Sequence, residues 1–174
     1  MKAKQMVDIF IESILLILGL VILIIGIFNY SNIKVVFVSA LFTYAIFNFI
    51  QYALTKESKD MEGLYTALSS ILIGVADLFL PFDNNLVLPL SIMSWTILMS
   101  IIKVVKADYY NDRKDITWKY KMVTLIVFMV ISVLTSVALN YNSNVQVLIM
   151  GYYFIINGIL EVSEVIVKYL TTRK

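Results

Sequence analysis

The sequence predicts an all-α polytopic membrane protein, with six transmembrane helices as three repeated helical hairpins. Three observations lead there. Six apolar runs are each close to a membrane span in length, nearly all the cations fall on one side of those runs, and every second run carries the same polar stripe.

The runs lie at about Ile9–Phe28, Val35–Leu54, Leu64–Leu80, Leu86–Val105, Met122–Leu139 and Val145–Leu170. A helix rising about 1.5 Å per residue needs ~20 residues to cross roughly 30 Å of hydrocarbon, and most of the runs are near that length. The turns within the hairpins read Phe28-Asn29-Tyr30-Ser31-Asn32, Leu80-Pro81-Phe82-Asp83-Asn84 and Asn140-Tyr141-Asn142-Ser143-Asn144. Each places an aromatic near the interface and then a Ser, Asn or Asp before the chain re-enters, which is N-cap chemistry. Pro89 falls within the first turn or so of the fourth helix, where a missing N–H costs little. Asp108–Asp115 mixes both signs and reads as a solvated connector. Tyr109 and Tyr110, and Trp118 and Tyr120 beside Lys119 and Lys121, read as an interfacial anchor. Gly19 and Gly26, like Gly151 and Gly158, recur at seven residues and mark close helix approach, as does the Ser132/Ser136 pair. Trp95, nearer mid-membrane, faces lipid or packs in the core.

Composition agrees with a lipid solvent. The 174 residues are 60% hydrophobic, against roughly 45–50% in soluble domains, and the mean hydropathy is +0.87. The spans and turns consume the length, so residues 1–174 read as a single membrane domain without a cleaved signal or separate soluble part. Of the 14 Lys and Arg, all but Lys34 lie in the N-terminal tail, the second and fourth connections with their flanking helix ends, or the C-terminal end. Basic residues near span ends stay cytoplasmic, which places both termini in the cytoplasm and the three short turns outside. The net charge of +2 is therefore a topology signal and a contact to anionic lipid rather than a nucleic-acid site. The chain has no Cys and no His, which removes thiol nucleophiles, Cys/His metal sites and a histidine base. No metal, cofactor or catalytic residue is assigned.

The polar stripe defines the repeat. Tyr44, Asn48 and Gln51 recur 52 residues on as Thr96, Ser100 and Lys103, and 113 residues on as Asn157, Glu161 and Glu164. Each set is spaced i, i+4, i+7, one stripe of a helix. The repeats run at approximately 7–56, 61–108 and 118–170. Charges at such depth normally face a partner or water, and Lys103 with Glu161 or Glu164 is the obvious pair, with Glu12 able to join. Glu164 and Lys168 are also i, i+4 neighbours. Two readings stand: interhelical bonds that hold the bundle together, or a polar vestibule open to the cytoplasm between the three hairpins. Asp77 is the most singular residue, an acid in the outer half with no base nearby in sequence, and Thr66 and Ser70 share its helix face. It either reaches the outer interface or is buried, and if buried it is the residue expected to matter for activity through a response to mild external acid.

The hairpin count, the short outer turns with Pro81, and Gly19, Gly26, Gly151 and Gly158 together give a chain that resembles the HdeD-like family of small bacterial acid-resistance membrane proteins. The resemblance covers nearly the whole chain. It implies a bacterial inner-membrane protein linked to envelope or acid stress, of unestablished molecular activity, and the preferred reading is a non-enzymatic protein acting structurally or through interactions. Its partners would be the lipid bilayer and a second copy or another membrane protein. The alternative is a small-solute transporter or the substrate-binding subunit of one, although the first helix lacks the Ala-x-x-x-Ala coupling motif usual in such subunits. The charge distribution makes a direct prediction. Cysteines introduced singly at Ser31, Asn84 and Ser143 are expected to label with an impermeant reagent from outside, and one at Ser58 or Asn111 is not; the reverse pattern would overturn the topology.

Overall fold

The computed structural model describes residues 9–28, 32–55, 61–81, 86–141 and 145–171. Among these there is no strand. Six helices follow one another: α1 (Ile9–Ile27), α2 (Ile33–Thr55), α3 (Glu62–Phe79), α4 (Val87–Asp112), α5 (Thr117–Tyr141) and α6 (Gln146–Thr171). All six are long and apolar enough to cross a membrane.

Two helices outrun their apolar stretches. α4 continues past Val105 to Asp112, and α5 begins at Thr117 rather than Met122. Backbone hydrogen bonds do not require apolar side chains, so the helices carry on after hydrophobicity ends and take Lys106 and Lys121 with them. α4 stops where Lys114 adopts a left-handed backbone (φ 55°), with the N–H groups of Lys114 and Asp115 donating back to Asn111 and Tyr110. Asp115 then opens α5. Its carboxylate accepts from the Thr117 N–H at 3.0 Å and hydroxyl at 2.6 Å, bonds that hold it below its ordinary carboxyl range. At the first turn the expected cap is present, Asn32 Oδ1 accepting from Val35 N–H at 3.2 Å. α4 instead starts after Leu86 without a side-chain cap. Residues 29–31, 82–85 and 142–144 of the three turns lie outside the described residues.

The helices form a ring in chain order, and the packing within it is uneven. The broadest contacts are α1 with α6, α2 with α3, and α4 with α5, whereas α1 barely meets α2. The hairpins are thus interlocked, each helix packing most closely on one from outside its own hairpin. Their outer faces are apolar: Ile24, Leu54, Leu72, Val105, Leu134 and Ile159 are all more than half exposed, an arrangement suited to lipid rather than water. At the centre Trp95 is fully buried, edge-on to Tyr44, Phe128 and Tyr153 at ring separations of 6.1–6.2 Å and tilted against Phe154 at 6.0 Å. Of the two sequence readings for Trp95, core packing is the observed one.

The α1–α6 contact depends on glycine. A Cβ on Gly158 would lie 2.3 Å from the backbone nitrogen of Leu16, and one on Gly19 2.5 Å from that of Ile155. Gly151 and Gly26 meet Leu23 and Leu148 side chains almost as closely. Backbone cannot yield as a side-chain tip can, so Gly158→Ala and Gly19→Ala are each expected to cost about 1–3 kcal/mol through forced separation of the helices. Gly74→Ala adds a Cβ in ordinary contact with Phe42 and Leu41 at 3.5–3.7 Å and should be tolerated. Thermal unfolding in detergent checks the contrast, and equal behaviour of all three variants would remove the glycine contact as the basis of ring closure.

Candidate functional site

The polar stripes of α2, α4 and α6 do turn inward. Asn48, Ser100, Lys103, Asn157 and Glu164 are buried, and Gln51 and Glu161 are partly so. They meet at the end of the bundle where α1 begins and α6 finishes, called here the basic end. Glu164 is the centre of that network. One oxygen accepts from Lys103 Nζ at 2.8 Å and from the Thr124 hydroxyl, and the other accepts from Lys121 Nζ at 2.7 Å. Lys103 also pairs with Glu161 at 2.9 Å. Lys121 reaches Glu62 at 3.4 Å, and Lys106 pairs with the second oxygen of Glu62. Glu12 of α1 accepts from Gln51 Nε2 at 3.3 Å. Every helix contributes at least one group to this layer.

The expected pairing of Lys103 with Glu161 or Glu164 is therefore present with both acids, while Glu12 joins through Gln51 rather than through Lys103. Lys121 requires a correction. It is not an interfacial anchor but a buried partner of Glu164, because α5 begins early enough to carry it beneath the neighbouring helices. Lys106, Glu62 and Thr124 are members that the stripe did not include. Glu62 and Thr124 belong to two further stripes, Glu62-Thr66-Ser70-Asp77 on α3 and Lys121-Thr124-Phe128-Ser132 on α5, and Lys106 continues the α4 stripe past Lys103, all at helical spacing.

The network borders a vestibule open at the basic end. Its mouth, beside Glu62, Lys106, Lys121 and Lys168, holds about 30 Å³ of water-accessible space. A deeper recess of about 10 Å³ runs in past Glu12, Gln51 and Glu161 to Tyr44, Asn48, Thr66 and Met99. Together these admit roughly three water molecules. Among the described residues, no group of three or more acidic side chains is arranged to hold a metal ion.

The outer half has separate polar chemistry. Asp77 is 1% exposed, so it is buried within the protein rather than reaching the interface. Ser91 of α4 donates to its Oδ1 at 2.5 Å, and its Oδ2 has no hydrogen-bond partner among the described residues. Among the described residues, Lys34, distant in sequence, is the charged group that acts on it. The Lys34 ammonium also donates to the carbonyls of Leu78 at 3.0 Å and Leu80 at 2.8 Å, closing the end of α3. Ser70 accepts from the Trp95 indole at 3.1 Å, and Thr66, buried one turn below, lines the inner recess. The α3 face predicted as one track is thus divided between an outer site at Asp77 and the inner vestibule. In between, the Tyr153 hydroxyl meets Thr96 and Ser132, both at 3.1 Å.

Fold and site together define an all-α polytopic membrane protein with a buried ion network at one end and a buried acid, Asp77, near the other. In comparisons with known proteins, no family profile, no curated protein and no solved structure matches the chain.

The network makes a sharp energetic statement. Glu164→Leu leaves two buried ammonium groups short of their shared acceptor, and stranding such charges costs about 3–5 kcal/mol. Glu164→Leu combined with Lys121→Met removes both ends of one pair and is expected to recover part of that loss. Folded yield and melting temperature of the two variants decide the point; a double variant worse than the single one would show that the ion pairs do not act as a unit.

Proposed function

We propose that this chain is an HdeD-like, non-enzymatic protein of the bacterial inner membrane, with its basic end in the cytoplasm, that supports envelope tolerance of acid through a structural or interaction role. The observation that carries the reading is Asp77. It is a carboxyl group enclosed by protein in the outer half of the bundle, with one oxygen held by Ser91 and, among the described residues, the other unpartnered and Lys34 the cation whose charge acts on it. Taking up a proton there changes the charge balance with Lys34 and turns an acceptor into a donor, at the point where α2, α3 and α4 meet. Such a change is available to a proton arriving from outside without involving the larger network at the other end.

Small-solute transport has less support from this geometry. The vestibule admits a few water molecules and is occupied by its own ion pairs.

Asp77→Asn mimics the protonated acid at nearly constant volume and is expected to fold and insert normally. In cells lacking the native copy, wild type should restore survival after acid challenge, whereas Asp77→Asn should flatten the dependence of that survival on external pH. If deleting the gene leaves acid survival unchanged, the stress role is wrong. If Asp77→Asn matches wild type at every pH, Asp77 is not its sensor.

A further inference from the structure

Just inside the level of Trp95, two side chains are short of hydrogen-bond partners. The hydroxyl oxygen of Ser100, at 8% exposure, has none among the described residues, and both polar atoms of the Asn157 side chain, at 1%, lack a well-formed hydrogen bond, the Tyr153 hydroxyl being the polar group beside them. An asparagine amide offers two donors and two lone pairs, and buried polar groups of this kind are almost always satisfied by protein or ordered water.

Their surroundings say which. α4 and α6 run in the same direction, and two bonded rungs connect them: Thr96 to Tyr153 on the outer side and Lys103 to Glu161 on the inner side. Ser100 lies between Thr96 and Lys103, and Asn157 between Tyr153 and Glu161, about one helical turn from each rung. Both flanking rungs retain bonding capacity. Lys103 spends two of its three N–H donors on Glu161 and Glu164. Above, the Thr96 and Ser132 hydroxyls have backbone acceptors of their own at 2.7 and 2.8 Å, so the Tyr153 oxygen can still accept. The water-sized recess that begins at the vestibule reaches Met99 and Asn48, the level of Ser100.

We propose that Ser100 and Asn157 form a water-binding site that extends the vestibule into a hydrated path from the basic end to the Tyr153 hydroxyl. The path takes water and stops at Tyr153. Above it the Trp95 ring fills the core, and its indole N–H can donate but not accept, so no chain of exchanging hydrogen bonds passes through it. The inference is independent of the acid-tolerance reading, which concerns Asp77 on the far side of Trp95.

The chain has no native cysteine, which makes the test clean. Ser100→Cys and Asn157→Cys, with Ile101→Cys and Ile156→Cys as controls on outward faces, are placed in vesicles of known orientation. Ag⁺ is added from one side, and protection against later maleimide labelling after denaturation is timed. The two interior thiols are expected to react from the basic-end side at least tenfold faster than the controls. Adding Asn157→Leu to Ser100→Cys should slow its reaction about tenfold. Interior rates equal to the controls from both sides, or no effect of Asn157→Leu, would overturn the proposal. Should a cysteine variant fail to fold, water-edited solid-state NMR on the unaltered protein reads the same site. Polarisation transfer from water to the Asn157 amide as fast as to the vestibule lysines supports it, and transfer as slow as to the lipid-facing residues sinks it.

Discussion

A buried carboxylate that must accept from two lysines constrains much of this molecule. Glu164 binds Lys103 of α4 and Lys121 of α5 while itself belonging to α6, and none of the three charges is tolerable alone in hydrocarbon. Satisfying them fixes the rotation of three helices about their own axes. Those rotations bring Thr96 against Tyr153 and present Trp95 to the rings of α2, α5 and α6. Individual interhelical hydrogen bonds in membranes are weak, averaging roughly 0.6 kcal/mol. Their value here lies in specifying one register among many that apolar packing alone would permit.

Trp95 divides the interior. Outside it, Ser91 holds the Asp77 carboxylate, and the Lys34 ammonium, bound to carbonyls at the end of α3, acts on the same acid through its charge. Inside it, the hydroxyls of Thr96, Ser132 and Tyr153 lead toward the ion network. The two halves therefore present different chemistry to the two membrane faces, and a large aromatic side chain in van der Waals contact on all sides keeps them apart. A symmetrical pore through the centre is incompatible with that packing.

The sequence disclosed the helices and one polar layer because both depend on periodicity within a single helix. Asn48, Ser100 and Asn157 face inward as their spacing implied, and Lys103 found Glu161 and Glu164. Lys106, Lys121 and Glu62 were hidden by their positions at the margins of apolar runs, where a charge ordinarily reads as an interfacial or topological marker. The extra turns of α4 and α5, which hydropathy does not register, carry Lys106 and Lys121 inward, and Glu62 opens α3 just ahead of its apolar run. Extending the stripes of α3 and α5 toward the helix ends would have found Glu62 and Lys121, and extending that of α4 past Lys103 would have found Lys106. The pairing of helices was illegible for another reason. Which faces meet depends on glycine against backbone, as at Gly158 and Leu16, and nothing in one helix names its partner on another.

The broad contact between α1 and α6 sets the order in which the molecule is completed during synthesis. Among these six helices, the earliest made has its main partner in the latest made, about 130 residues later by their positions in the chain. Until α6 arrives, Gly19 and Gly26 face lipid or the insertion machinery, and Glu164 has not yet been made to receive Lys103 and Lys121. With five of the six helices inserted, Lys103 therefore lacks both its acids and Lys121 has Glu62 alone. Assembly then finishes in one late step that closes the ring and neutralises its interior together. Quality control in the membrane has a plain signature to read in that interval: an unneutralised positive charge held between helices marks a chain that is not yet finished.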